Sequence, residues 1–423
     1  MSNLPEFRNE ALTDFSTPEN KAAMELALAK VASEIGREHP IVIGGERITG
    51  LKTFDSLNPS HKSQVLGKFQ KGSKEHVERA IETAWQAFES WKRQSVDTRA
   101  GLLLQAAKLM RERKHEFSAV MIYEVGKTWA EADADTAEAI DFLEFYAREA
   151  YRYAADQPIT KIEAEDNHLV YIPLGVGAVI PPWNFPLAIM AGMTTAAVVT
   201  GNSVVLKPSS DSPWIAYRFF ELLEEAGMPP GVVNFVSGGG GEVGDPLIQH
   251  PRIRFISFTG SKQVGLHINE QAAKPRDGQM WIKRVVAEMG GKDAIVVDRD
   301  TKNLDEAASA VVASAFGFQG QKCSACSRAI IDEAIYDQIV PMIVEKTKKL
   351  RIADPSTADA QIGPVVSEKA MKTIKQYIDK GTSEGGKLLA GGEVDAKDGF
   401  YIHPTVIGDV TPDATIAKEE IFG

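Results

Sequence analysis

Both cysteines of this 423-residue sequence, Cys323 and Cys326, lie in one stretch, Phe-Gly-Phe-Gln-Gly-Gln-Lys-Cys-Ser-Ala-Cys-Ser-Arg, at residues 316–328. Lys322 and Arg328 flank them, and nearby cations favour a thiolate, so the setting suits a nucleophilic sulfur. Gly317 and Gly320 let the backbone turn sharply or approach a ligand. The Cys-Ser-Ala-Cys spacing is also that of a zinc or redox pair. Zinc needs two further ligands, and with no second cysteine pair and no clustered histidines, no metal is expected. A dithiol oxidoreductase stays open and would need both sulfurs, although a small thioredoxin-like context is lacking. A packed, inert thiol is the bland alternative.

Other chemistry-bearing residues follow apolar runs. Asn184, in the turn Pro-Pro-Trp-Asn-Phe-Pro at 181–186, carries an amide that can stabilise an oxyanion, or simply serves the turn. Lys207 follows the run 203–206, where a phosphate or ribose hydroxyl would sit, or is merely solvated. The segment 237–244 matches G-x-G-x-x-G at 239, 241 and 244, yet no acidic residue closes a second strand about 20 positions on, so only a glycine-rich turn open to a cofactor is claimed. Thr259-Gly260-Ser261 opens a helix after a strand, a place suited to anions. Glu288 closes an apolar strand before Gly290 and Gly291; partial burial is expected to raise its pKa toward general-base range, with a structural ion pair as the alternative.

These positions need a framework. From residue 168 onward, apolar runs ending in glycine or proline alternate with helical stretches, which predicts a parallel sheet with crossover helices and a ligand site at the strands' carboxyl ends. Predicted strands cover 176–180, 203–206, 232–236, 254–258, 285–287, 294–297 and 328–331; predicted helices cover 187–200, 213–226, 243–250, 262–272, 304–318, 334–350 and 367–381. Upstream, Thr17-Pro18 starts a helix, Gly44-Gly45 turns a short hairpin over 41–48, and a helical region over 73–155 is predicted to break near Gly101 and Gly126. The length implies two or three domains. A net charge of −11 gives no basic footprint for nucleic acid. The first twenty residues do not read as a secretory signal, the longest apolar stretch is interrupted by polar residues, and two cysteines suit a reducing compartment, so a cytoplasmic protein is expected.

Taken in order, Pro-Trp-Asn-Phe-Pro at 182–186, Lys207-Pro208, Phe258-Thr259-Gly260-Ser261, Glu288-x-Gly290-Gly291-Lys292, Gly320-Gln321-x-Cys323 and Glu420-Ile421-Phe422-Gly423 resemble the aldehyde dehydrogenase superfamily over nearly the whole chain. The resemblance implies an α/β fold: a Rossmann-like dinucleotide-binding domain (residues 1–158 and 176–287), bridging strands forming a small oligomerisation hairpin (159–175) and a catalytic domain (288–423). It implies Cys323 as nucleophile, Asn184 and the Cys323 N–H for the oxyanion, and Glu288 to activate water. Cofactor contacts fall on Ile180, Trp183, Lys207, Ser210, Gly240, Gly244, Ser261, Glu420 and Phe422, and substrate contacts on Glu138, Phe185 and Ser324. The fuller strings point to the branch that oxidises L-glutamate γ-semialdehyde, formed from 1-pyrroline-5-carboxylate, in proline breakdown. Another semialdehyde, such as that of succinate, is the alternative substrate. NAD is the implied cofactor; Ser210 stands where many NAD-specific relatives carry glutamate, so NADP is expected to serve less well. Family members continue past Gly423, so a truncated chain is expected, with an incomplete pocket, incomplete contacts for a homo-oligomer and low activity, or a role as a binding scaffold.

Overall fold

Buried strands in a two-faced sheet send alternate side chains to opposite cores, and the apolar runs do so here. In the computed structural model, which describes residues 4–423, Val204 and Leu206 enter one hydrophobic cluster while Val205 between them enters the other. Seven strands form this sheet in the order Arg284–Glu288, Phe255–Thr259, Val176–Ile180, Ser203–Leu206, Val233–Phe235, Ile41–Ile43 and Glu46–Ile48. The first five are mutually parallel, and the last two join antiparallel as the hairpin turned by Gly44 and Gly45 at φ 61° and 84°. The five parallel strands lie within two residues of their predicted positions. Thr17 caps the Pro18–Ala32 helix through the N–H of Asn20, as its sequence implies.

Three expectations are corrected. Gly101 lies inside the Val96–Glu112 helix; the region breaks instead around residues 92–95, at Arg113 and at Gly126, which adopts φ 71°. One glycine in a helix is a modest penalty that packing overrides, since Leu102, Leu103, Ala106 and Ala107 are buried. The segment 159–175 forms no strand and no hairpin, and its Leu169, Val170, Tyr171 and Ile172 side chains are exposed. The helix predicted to reach residue 318 ends at Phe316 and passes into a tight turn over Gly317–Gly320.

Downstream of Glu288, Asp293–Val297 and Cys326–Ile331 pair in parallel as a second sheet. The helices Leu304–Phe316 and Glu333–Lys348 cover it, burying Val311, Val312, Ile335, Ile339 and Ile343 against Val297 and Cys326. Cys326 is therefore a core side chain, the bland reading considered for it.

Candidate active site

The cysteine loop departs from ordinary backbone before it reaches Cys323. Phe318, Gln319 and Gly320 occupy three consecutive left-handed positions, at φ 48°, 56° and 71°. Glycine takes this region freely, whereas a non-glycine residue costs of order 1 kcal/mol or more, so Phe318 and Gln319 need outside support. Gln319 is buried and its Nε2 donates to the carbonyls of Gly126 (3.1 Å) and Pro364 (3.0 Å). The Phe318 ring lies beneath the Lys127 ammonium, 4.3 Å from its centroid, and the same ammonium sits 4.1 Å from the Phe185 ring. Gln321 is fully buried; its Oε1 accepts from Val366 N (2.9 Å), and its carbonyl accepts from the side-chain Nδ2 of Asn184 (3.1 Å). Asn184 is thus held two residues from Cys323, although 137 positions separate it from Gln321 in sequence.

The electrostatics of the thiol differ from the expectation. Neither flanking cation serves the sulfur: Lys322 pairs with Glu131 at 2.9 Å, and Arg328 donates to the carbonyl of Lys292. Burial pushes the Cys323 thiol above its ordinary value, and the Glu420 and Asp293 carboxylates add to the rise, while the N–H groups of Cys323 and Ser324 directed at the sulfur oppose it. Glu420 accepts from Gly291 N at 3.0 Å. The paired glycines acquire a physical reason: a Cβ on Gly290 would collide with the Glu420 carboxylate, and one on Gly291 with the Cys323 carbonyl. This packing brings the chain just after Glu288 against the backbone of Cys323. Glu288 itself is exposed, so the expected partial burial is not found; it ends an outer strand of the sheet, with one face open.

The carboxyl ends of the parallel strands carry the remaining candidates. Lys207 is buried, its pKa pushed down to about 8 by that burial, and its Nζ donates only to the neighbouring Pro208 carbonyl at 3.1 Å. Gly240 and Gly244 bound a single π-helical turn. A Cβ on Gly240 or Gly241 would meet nothing, and one on Gly244 would sit 3.7 Å from Lys207 Cε, leaving an open cradle beside a partly free ammonium. Ser261 caps the Lys262–Ala273 helix through Val264 N, and Ser210 is exposed. Ile180 ends its strand half-buried, and Trp183 packs edge-on against Phe422, whose ring centroid is 5.5 Å away. This surface fits a dinucleotide: backbone that can approach a pyrophosphate, and a donor for sugar hydroxyls.

The sequence matches the aldehyde dehydrogenase family over residues 47–423. The chain belongs to that family. It is 55% identical over 417 residues to 1-pyrroline-5-carboxylate dehydrogenase of Geobacillus kaustophilus, covering 99% of this chain and 81% of that protein. The enzyme of the same name from Bacillus mycoides is 52% identical over the same shares. The crystal structure of 1-pyrroline-5-carboxylate dehydrogenase from Thermus with bound NAD superposes with a TM-score of 0.97 at 48% identity, covering 100% of this chain and 81% of that one. The aldehyde dehydrogenase fold read from the ordered motifs is borne out.

Within this aldehyde dehydrogenase, Phe185 reaches the cysteine loop through Lys127, Ser324 is exposed beside Cys323, and Glu138 is exposed on the Trp129–Ala154 helix that also carries Glu131 and Asp135. Sequence reasoning missed the supporting layer. Lys127 and Asp135 form a fully buried ion pair at 3.0 Å, and Asp135 also accepts from Ala188 N, which ties the first turn of the next helix to the site. Glu124, pushed up to about 7 by burial, accepts from Trp214 N and Ile215 N and so caps the Pro213–Glu225 helix. Charged residues inside an apolar helical run were the available signal: buried charges are rare unless paired. A cavity of about 660 Å³ lies behind the loop, lined by Cys326, Val311, Ile343 and Ile402; it borders Cys326 and not Cys323.

Proposed function

We propose that this protein oxidises L-glutamate γ-semialdehyde, the open form of 1-pyrroline-5-carboxylate, to L-glutamate with NAD. The observation that supports the reading most is the hydrogen bond from the Asn184 amide to the carbonyl of Gln321, two residues before a half-buried Cys323. The Cys323 thiol passes its proton to solvent and the sulfur attacks the aldehyde carbon; the carbonyl electron pair moves to oxygen, where the second N–H of the Asn184 amide and the Cys323 N–H receive it. Lys207, Gly240, Gly244 and Ser261 would hold NAD, which would supply the hydride acceptor for the tetrahedral adduct. Cys323 is left as a thioester. Glu288, at the open end of its strand, takes a proton from water, which adds to the thioester carbon; the C–S bond breaks and the thiolate returns. Glu420 and Phe422 would contact the cofactor, and Glu138, Phe185 and Ser324 would contact the aldehyde.

Ser210 stands where many NAD-specific relatives carry a glutamate that repels a 2'-phosphate, so NADP is accepted too, though less well than NAD. Among the described residues no helix is long and apolar enough to cross a membrane, and a cytoplasmic location is part of this reading. So is a homo-oligomer, supported by the exposed apolar side chains at residues 169–172. The test is NADH formation with 1-pyrroline-5-carboxylate beside succinate semialdehyde: a higher kcat/KM for the former supports the reading, and a preference for the latter overturns it. A complete lack of NADPH formation would contradict the cofactor assignment.

A further inference from the structure

An amide that stabilises an oxyanion must be aimed before the charge develops, because a donor that has to reorient loses most of its advantage. Asn184 has two N–H groups, and one is committed to the carbonyl of Gln321. The direction of that carbonyl therefore decides where the other N–H points. Gln321 follows directly on the left-handed run Phe318, Gln319 and Gly320, and its own N–H closes that turn on the carbonyl of Phe318 at 3.0 Å. Of the three, glycine alone holds such a conformation without help.

We infer that Gln319 is a positioning residue for the oxyanion site, acting through the left-handed turn and the Gln321 carbonyl on the Asn184 amide. Its Nε2 uses both hydrogens on carbonyls from distant segments, Gly126 and Pro364, while its Oε1 is buried without a partner. The seat is shaped to it: a Cβ on Gly363 would strike both Gln319 Nε2 and the Gly126 carbonyl. The clamp thus joins the turn between the Lys114–Val125 and Trp129–Ala154 helices, the turn before Cys323 and the segment that also anchors Gln321 through Val366 N.

This inference rests on the oxyanion role given to Asn184 above, and a cofactor-free reaction tests the two separately. Acylation of Cys323 by p-nitrophenyl acetate builds a tetrahedral oxyanion and releases p-nitrophenolate, read by absorbance. Asn184→Ala is expected to slow acylation about 100-fold, the usual effect of losing one such donor. Gln319→Ala is expected to slow it about 10-fold or more, and the double variant to be no slower than Asn184→Ala alone, since both act on one hydrogen bond. Should Gln319→Ala not fold, Gln319→Gly removes the clamp where φ carries no steric penalty, and the same cycle applies. Acylation at the wild-type rate in the Gln319 variant, or its full loss carried over onto the Asn184→Ala background, overturns the positioning role alone. Unchanged acylation in Asn184→Ala overturns the oxyanion reading and the inference with it.

Discussion

The sulfur of Cys323 is the residue whose surroundings most alter the simple picture of an activated thiol. Its neighbours in sequence are cationic, but Lys322 is taken by Glu131 and Arg328 by a backbone carbonyl, while burial and two carboxylates raise the thiol. A raised thiol is mostly protonated at neutral pH, so its reactivity should climb as pH rises toward and beyond the ordinary thiol range. Glu420→Gln removes one of the two charges. In the absence of NAD, alkylation of Cys323 by iodoacetamide, mapped by mass spectrometry, is expected to show a lower pH midpoint and a faster rate at pH about 8 in that variant; an unmoved midpoint would contradict the account. Cys323 was legible as a candidate nucleophile because two cysteines sit in one glycine-flanked stretch. The fate of its cations was not, since their partners lie on other elements.

At the scale of elements, the Trp129–Ala154 helix and the residues just before it carry the hidden support. Lys127 and Asp135 are both fully buried, and removing one member of such a pair strands the other charge at a cost of about 3–5 kcal/mol. Lys127→Met is therefore expected to lower the stability measured by urea unfolding by that amount, and Lys127→Met combined with Asp135→Asn to recover much of it. A loss well below this range in the single variant would contradict the burial. A second element has a pH signature. His39 on the Arg37–His39 strand stacks on Phe69 at 4.7 Å, and burial, with Arg37 adding, pushes its pKa down to about 4. The unfolded chain takes up that proton near pH 6.5 while the folded one resists, so His39 stability is intact above 6.5 and is lost as pH falls toward 4, by roughly 3 kcal/mol at most. His39→Phe keeps the stacking and should flatten Tm across that window; an unchanged slope would rule the mechanism out. Strands were legible because a buried parallel sheet writes itself as apolar runs. The left-handed turn at 318–320 was not: glycine marks only its last residue, and the conformation of Phe318 and Gln319 is imposed by Gly126, Pro364 and Lys127 from elsewhere in the chain.

The whole molecule places its chemistry where the seven-stranded sheet meets the chain beyond residue 288. Contacts that define the site join residues far apart in sequence: Asn184 with Gln321, Gln319 with Gly126, Gly291 with Glu420. Ordered motifs disclosed the family because each lies at a strand end or turn that such contacts require. The geometry among them became visible only on folding, as did the exposure of Glu288 and the unpaired state of residues 159–175. The proposed function divides the labour: Cys323 forms the covalent adduct and Glu288 drives its hydrolysis. It is tested most directly by mixing the Glu288→Gln variant with 1-pyrroline-5-carboxylate and NAD and weighing the protein. The account expects a stoichiometric turn of NADH together with a glutamyl thioester that accumulates on the Cys323 peptide, absent from Cys323→Ser and unaffected by Cys326→Ser. Full multiple turnover in Glu288→Gln, or an adduct carried by Cys326, would contradict it.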